Sequence, residues 1–442
     1  MARDVPVVDT ARLATTIRDG KQRELDWRDK AVQPSWYGRT TAEVIAESPT
    51  LDGLSTPVMT LDLQMVDKNI IAMDRWCVAA GLSLAPHGKT TMAPELWRRQ
   101  LEAGAWAITV ANEPQLRVAR GASVPRVIVA NLFIRAEGLA WLSGELDSDD
   151  NFEFYCWVDS VDSVRLMDLA LRAAKARRRV NVLVEVGAVH ARTGARSHAA
   201  AMAVAEAVIA APTLALSGVA GFEGVVAHDI DEESLVAIDE FLTRMANLHL
   251  ALLPSFETAE PIISSGGSKY FDRVAAILAP LRGTGRGLGT RVVLRSGAYV
   301  VHDDGIYRSS TPYNRGAGPE LHPAIHLWSR VISIPEPGIA YLDAGKRDLP
   351  FDSGLPELQY VRQRSASGEV DSVPLAGHEL YKVNDQHAHV RLPADSSLQV
   401  GDVVKLGLSH PCTAFDKWSL IPVVDSASSP NPVLVDLLRT YF

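Results

Sequence analysis

Lys89 stands in the stretch LAPHGKTTMAP (residues 84–94), where an apolar run gives way at once to Pro86, His87, Gly88, Lys89 and two threonines. A lysine just past a strand end can project into an enclosed mouth, where loss of water lowers its pKa. Such an amine can form a Schiff base with a carbonyl or move a proton; a loop lysine in water is the competing reading. A second stretch, SSGGSKYFD (residues 264–272), offers Ser265, Gly266, Gly267 and Ser268. Their close-approaching N–H groups and hydroxyls suit an anion, although an ordinary Gly/Ser turn has the same composition. Arg192 in VGAVHARTGAR and Arg295 in LRSGAY could each face the edge of a planar cofactor, or be salt-bridged instead. In SHPCTAFDKW (residues 409–418), His410 and Cys412 are two apart. On an extended segment alternate side chains point the same way, so both could reach one ion. Imidazole with thiolate favours zinc over magnesium or manganese; a buried cysteine beside a chance histidine is the alternative. His387 and His389, in NDQHAHV, read as outer residues of that edge or as surface groups.

These residues need a scaffold. From residue 82 to 297 the chain alternates eight short apolar runs, LSLAPHG, AITVAN, RVIVAN, FEFYCWV, VNVLVEV, VAGFEG, PIISSGG and VVLRSG, with helix-forming stretches such as MAPELWRRQLEAG. Short continuous runs are what parallel strands buried on both faces require. Eight such units predict a closed (β/α)8 barrel of the TIM type, with an open doubly wound sheet as the alternative. On the barrel reading Lys89 follows strand one, Arg192 strand five, the Ser265–Ser268 loop strand seven, and Arg295 ends strand eight. Functional groups sit at such strand ends, and phosphate at the loops after strands seven and eight. A Schiff-base lysine and a phosphate cradle together suggest pyridoxal phosphate. GTGRGLGT precedes a strand and does not match GxGxxG, so it reads as a loop. After about residue 305 short runs split by Pro, Gly, Asp and Asn predict an all-β domain. The expected division is an N-terminal extension (1–54) packed with the β-domain, the barrel (55–305), and the C-terminal β-domain with the metal pair (306–442).

Composition narrows the setting. A net charge of -9 and a pI near 5.8 speak against nucleic acid or an anionic membrane as the main partner. No run of about eighteen apolar residues is present, so no membrane span is expected. Three cysteines, Cys77, Cys156 and Cys412, form no disulfide framework. With a polar N-terminal stretch lacking a signal-like apolar core, they lead to an expected cytoplasmic location.

The motifs together resemble a family. Pro86-His87 with Lys89-Thr90 is similar to the PH-x-KT signature of the D-serine dehydratase and D-threonine aldolase family, fold-type III pyridoxal phosphate enzymes related to alanine racemase. The resemblance runs from about residue 55 to near Trp418; AITVANEPQLRVARGA, VIVANLF, VEVGAVHARTGAR and SSGGS share it. It implies that Lys89 carries the cofactor, that Ser265, Gly266, Gly267 and Ser268 hold its phosphate, that Arg192 touches its ring, and that His410 and Cys412 bind the metal. The H-x-C pair resembles the zinc-dependent dehydratase branch; the aldolase branch more often has H-x-D, suited to manganese. Thr91 and Met92 depart from the usual histidine and lysine, as do the residues around Glu223. The implied reaction is elimination of water from D-serine or a related 3-hydroxy D-amino acid, to a 2-oxo acid and ammonia. Retro-aldol cleavage to glycine and an aldehyde is the nearest alternative. A metal-free racemase and a non-catalytic cofactor carrier fit less well, given His410, Cys412 and the β-domain. The family also implies a homodimer.

Overall fold

The computed structural model describes residues 10–364 and 367–442. The eight apolar runs form parallel strands: Ser83–Leu84, Ile108–Val110, Arg126–Leu132, Glu153–Val158, Val180–Val186, Leu214–Gly221, Ile262–Ser265 and Arg291–Leu294. Each pairs with its sequence neighbour from the second to the eighth, and the eighth pairs with the first. An isolated bridge between His87 and Thr109 joins the first to the second, and Thr109 N–H donates to Pro86 O at 2.9 Å. The sheet therefore closes into the expected (β/α)8 barrel. Burial on both faces explains the continuous apolar pattern: every residue of Leu214–Gly221 is buried. Side chains pointing to the barrel axis, among them Ala85, Trp106, Trp157, Leu183 and Ile262, make a separate inner core. The axis is thus packed rather than a pore, and open volume is left at the strand ends.

Four strand-to-helix connections at that end are tied down by the helix start itself. Asn112, Ser160, Ser197 and Asp231 accept the N–H of Gln115, Ser163, Ala200 and Ser234 as the following helices begin. Each cap contributes about 1 kcal/mol and fixes a loop on the functional face.

The second sheet is built around Ile325–Glu336, which pairs antiparallel with Val403–Gly407 on one side. On its other side lies Val58–Asp62. That segment, expected inside the barrel stretch, is instead a central strand here, parallel to Leu420–Val424 at its other edge. Its five residues are all buried, and Thr60 Oγ1 receives the Trp328 Nε1 proton at 2.9 Å. Asp62 then caps Leu63–Ala79 through Met65 N–H and also accepts Ala427 N–H at 2.7 Å. The chain thus leaves the β-sheet, runs the barrel and returns to the same sheet. Before residue 55, Lys30 pairs with Asp348 at 2.7 Å and lies 3.9 Å over the Trp418 ring, both β-sheet-side residues. No helix among the described residues is long and apolar enough to cross a membrane.

Candidate active site

A cavity of about 470 Å³ opens at the strand ends, and Lys89, Arg192, Gly266, Gly267, Ser268, Arg295, His410 and Cys412 line it. Residues up to 323 positions apart in sequence therefore meet in one space. Ser265 is fully buried and faces elsewhere.

Lys89 is carried on a single helical turn, Gly88–Thr90, directly after the His87–Thr109 bridge. The turn lies tight against the barrel wall. A Cβ on Gly88 would come 2.8 Å from the Trp97 ring and 2.9 Å from Ile108. Gly88→Ala is expected to cost about 1–3 kcal/mol of stability through overpacking and to displace Lys89; denaturant unfolding and cofactor binding measure the two effects. The lysine opens to the cavity, yet the walls strip it of water. Its ammonium is lowered from 10.5 by that desolvation and by Arg192 and Arg295, with Cys412 opposing. The neutral amine, the form that attacks carbonyls or takes protons, is thereby more accessible than for a lysine in water. His87 beside it is pushed well below 6.5 by burial and by Lys89, Arg295 and Arg192, and stays neutral.

The two arginines differ. Arg295 is buried, donates to Ser264 Oγ and Gly221 O at 2.6 Å each, and lies 5.1 Å over the Trp157 ring. Burial lowers its pKa to about 10, so it remains a cation at the cavity floor. Arg192 extends into the cavity and stacks 4.7 Å over Phe222. Two lining residues have a buried polar atom that meets no hydrogen-bond partner, His87 Nδ1 and Glu185 Oε2. Glu185 Oε1 accepts Thr193 Oγ1–H at 3.1 Å, and burial raises the carboxyl pKa from 4.5. Orphaned polar atoms in a wall are costly unless a ligand pairs with them. An imidazole, a carboxyl and flanking arginines around an enclosed space suit a polar heteroaromatic ring with oxygen substituents, which pyridoxal phosphate is. Glu185 escaped the sequence reading although VNVLVEV shows it, as a charged residue inside an otherwise apolar parallel strand.

The anion cradle after strand seven is already occupied from within. Glu223 is fully buried; it accepts Ser265 Oγ–H at 2.7 Å, Gly266 N–H at 3.0 Å and Gly267 N–H at 2.6 Å. This departs from the expectation that all four residues face a phosphate, because Glu223 comes across from the preceding strand end to satisfy three of their donors. Donors still lining the cavity are at Ser268 and in the turn at Ser296, Gly297 and Ala298. There a Cβ on Gly297 would lie 2.4 Å from His87 O, a close approach that requires glycine.

His410 and Cys412 do converge, but not by the expected geometry. The segment is not extended: His410 takes a left-handed conformation, φ 51°, ahead of the short helix Pro411–Phe415. That helix packs against the Gly88–Thr90 turn, and Thr90 Oγ1 lies 3.3 Å from Cys412 Sγ. Asp352 Oδ2 is 2.6 Å from His410 Nδ1 and accepts Thr413 Oγ1–H at 2.7 Å through Oδ1. Burial alone would push the thiol up, but hydrogen bonds from His410 and Thr90 and the nearby cations lower it from 9.0. His410 is raised to about 9, chiefly through its bond to Cys412. A cysteine sulfur and an imidazole whose Nδ1 is held by a carboxylate are ligand types that suit zinc. No group of three or more His, Cys, Asp or Glu suited to a metal occurs among the described residues. A metal held by these two donors would have further positions for water or substrate. His389 lies between Tyr341 and Tyr381, outside this cavity.

Residues 324–424 match the family described as "Putative serine dehydratase domain". Over 375 residues the chain is 26% identical to a D-threonine aldolase of Arthrobacter sp., covering 84% of this chain and 89% of that protein. Its fold is similar to that of D-threonine aldolase from Filomicrobium marinum, with a TM-score of 0.73 and 22% identity over 88% of this chain and 96% of the other. It is also similar to that of D-threo-3-hydroxyaspartate dehydratase from Delftia sp. HT23, with a TM-score of 0.66 and 19% identity over 89% and 99%. A cysteine-to-alanine variant of a D-threo-3-hydroxyaspartate dehydratase in its metal-free form is similar in fold as well, with a TM-score of 0.67.

Proposed function

We propose that this chain, which resembles D-serine dehydratases over residues 324–424 and D-threonine aldolase in sequence and fold, is a lyase that eliminates water from D-serine or a closely related 3-hydroxy D-amino acid. Pyridoxal phosphate would be held at Lys89, with Arg192, Arg295 and Glu185 around its ring and Ser268, Gly297 and Ala298 near its phosphate. A divalent metal, zinc before manganese, would be held by His410 and Cys412. The observation that carries the reading is the 3.3 Å contact of Thr90 Oγ1 with Cys412 Sγ, which joins the turn of Lys89 to the metal pair.

Pyridoxal phosphate supplies a sink for the electron pair left at Cα. A metal supplies Lewis-acid help to a poor leaving group, hydroxide. The protein supplies the rest. The Lys89 amine, whose pKa its surroundings lower, takes the Cα proton in its neutral form. The Arg192 guanidinium, free to approach from the mouth, orients a carboxylate. The Cα–H and Cβ–O bonds break, water leaves, and hydrolysis of the remaining enamine gives a 2-oxo acid and ammonia. The similarity to D-threonine aldolase supports a second reading, in which the Cα–Cβ bond breaks to give glycine and an aldehyde. Product analysis on a panel of 3-hydroxy D-amino acids, with metal content measured in parallel, separates them: 2-oxo acid with ammonia supports elimination, and glycine with aldehyde overturns it.

The lowered Lys89 pKa also sets a pH dependence. Capture of pyridoxal phosphate needs the neutral amine, so the capture rate of the cofactor-free protein rises with pH as Lys89 loses its proton. Because the pKa is depressed, the half-maximal rate falls below the ordinary 10.5. Arg192→Ala removes one cation that lowers it and is expected to move the midpoint upward. Rates from stopped-flow absorbance across pH give both midpoints.

A further inference from the structure

Asp303 lies outside every motif discussed so far. It is fully buried and follows the last barrel strand by nine residues, at the crossing into the β-domain. Its Oδ1 accepts Gly305 N–H at 3.0 Å and Tyr307 N–H at 2.8 Å. Its Oδ2 accepts His410 N–H at 2.9 Å. One carboxylate thus grips two separate walls of the cavity: the start of the short helix Ile306–Ser310, which carries Tyr307, and the segment that carries His410 and Cys412. The grip falls on a residue with positive φ. A histidine with φ 51° is in the left-handed region, uncommon for any residue but glycine, although histidine enters it more readily than most. Such a conformation persists where surrounding bonds over-determine it. His410 N–H is the amide of that residue, and a buried carboxylate is a strong acceptor for it. Relaxation of His410 to ordinary angles would swing its ring relative to Cys412, which sits on the helix beyond Pro411.

We propose that Asp303 is a positioning residue for the metal pair: by holding the His410 amide it keeps the imidazole and the Cys412 sulfur aimed at one point. This rests on the reading of His410 and Cys412 as metal ligands. Asp352 fixes the ring from its Nδ1 side, and Asp303 fixes the backbone that bears it.

The test measures zinc affinity by chelator competition on full-length protein loaded with pyridoxal phosphate. Asp303→Asn keeps an oxygen for Gly305 and Tyr307 but presents N–H to the His410 amide. Asp303→Ser keeps an acceptor for the near loop and does not reach His410. Both are expected to weaken zinc binding at least tenfold, the scale of outer-shell losses, while retaining cofactor absorbance and a cooperative melting transition. Wild-type zinc affinity in either folded variant overturns the proposal. Amide hydrogen exchange on the metal-free wild-type protein stands apart from the variants: strong protection at His410 supports the staple, and exchange at the rate of an open amide overturns it. His410→Ala and Cys412→Ala run alongside. If neither changes zinc affinity, the metal assignment itself fails; if both abolish binding while Asp303→Asn does not, the staple alone fails.

Discussion

Replacing Lys89 by alanine is expected to abolish turnover, with loss beyond about 10⁴-fold, because in the proposed reaction one side chain would serve as covalent anchor and proton acceptor. Loss of activity alone would not identify the anchor, since misfolding has the same effect. The sharper measurement is borohydride treatment of wild-type protein loaded with pyridoxal phosphate, followed by peptide mapping. The adduct is expected on Lys89. Lys269 lies close by in sequence to the cradle, but its Nζ donates to His228 O at 2.9 Å and points away. An adduct at Lys269, or at any lysine other than Lys89, removes the basis of the assignment. The Lys89→Ala protein should still fold, since its side chain packs into no core and its ammonium is the costly, partly dehydrated group in that wall.

Cys412→Ala is expected to lose zinc and nearly all elimination activity while keeping the bound cofactor. The two functions separate because Lys89, Arg192 and Arg295 reach the cavity from the barrel, and Cys412 reaches it from the β-domain side. Cys412→Asp is the finer probe. A hard oxygen donor in place of sulfur weakens the preference for zinc and favours manganese. Retro-aldol cleavage of D-threonine is then expected to rise relative to elimination, because the harder centre does less for departing hydroxide. Metal analysis and product ratios read both outcomes. Full activity of Cys412→Ala in chelator-treated buffer would make His410 and Cys412 structural residues and remove the metal from the mechanism.

The amino-acid sequence by itself determined the barrel and the strand end on which each barrel-borne group sits. A strand buried on both faces has to be apolar throughout, so VNVLVEV and PIISSGG announce themselves locally. A lysine, an arginine or a Gly/Ser loop at the end of such a run is local information too. What lay beyond local reading came from partners distant in the chain. Val58–Asp62 carries the same apolar pattern as a barrel strand, and only pairing with Ile325–Glu336 and Leu420–Val424 assigns it to the other sheet. Ser265, Gly266 and Gly267 form an anion nest in sequence, yet Glu223, forty-two residues before Ser265, supplies the anion. The spacing of His410 and Cys412 suggested an extended pair, while tertiary structure chose a left-handed residue and a helical turn and produced convergence by another route. Asp303 and Asp352 had no signature, because a buried carboxylate holding a distant amide or imidazole is defined by what it meets in three dimensions. Periodicity reports burial, which every residue of an element shares; the identity of a hydrogen-bond partner is a property of the folded chain, decided when barrel and β-sheet close on each other around the cavity.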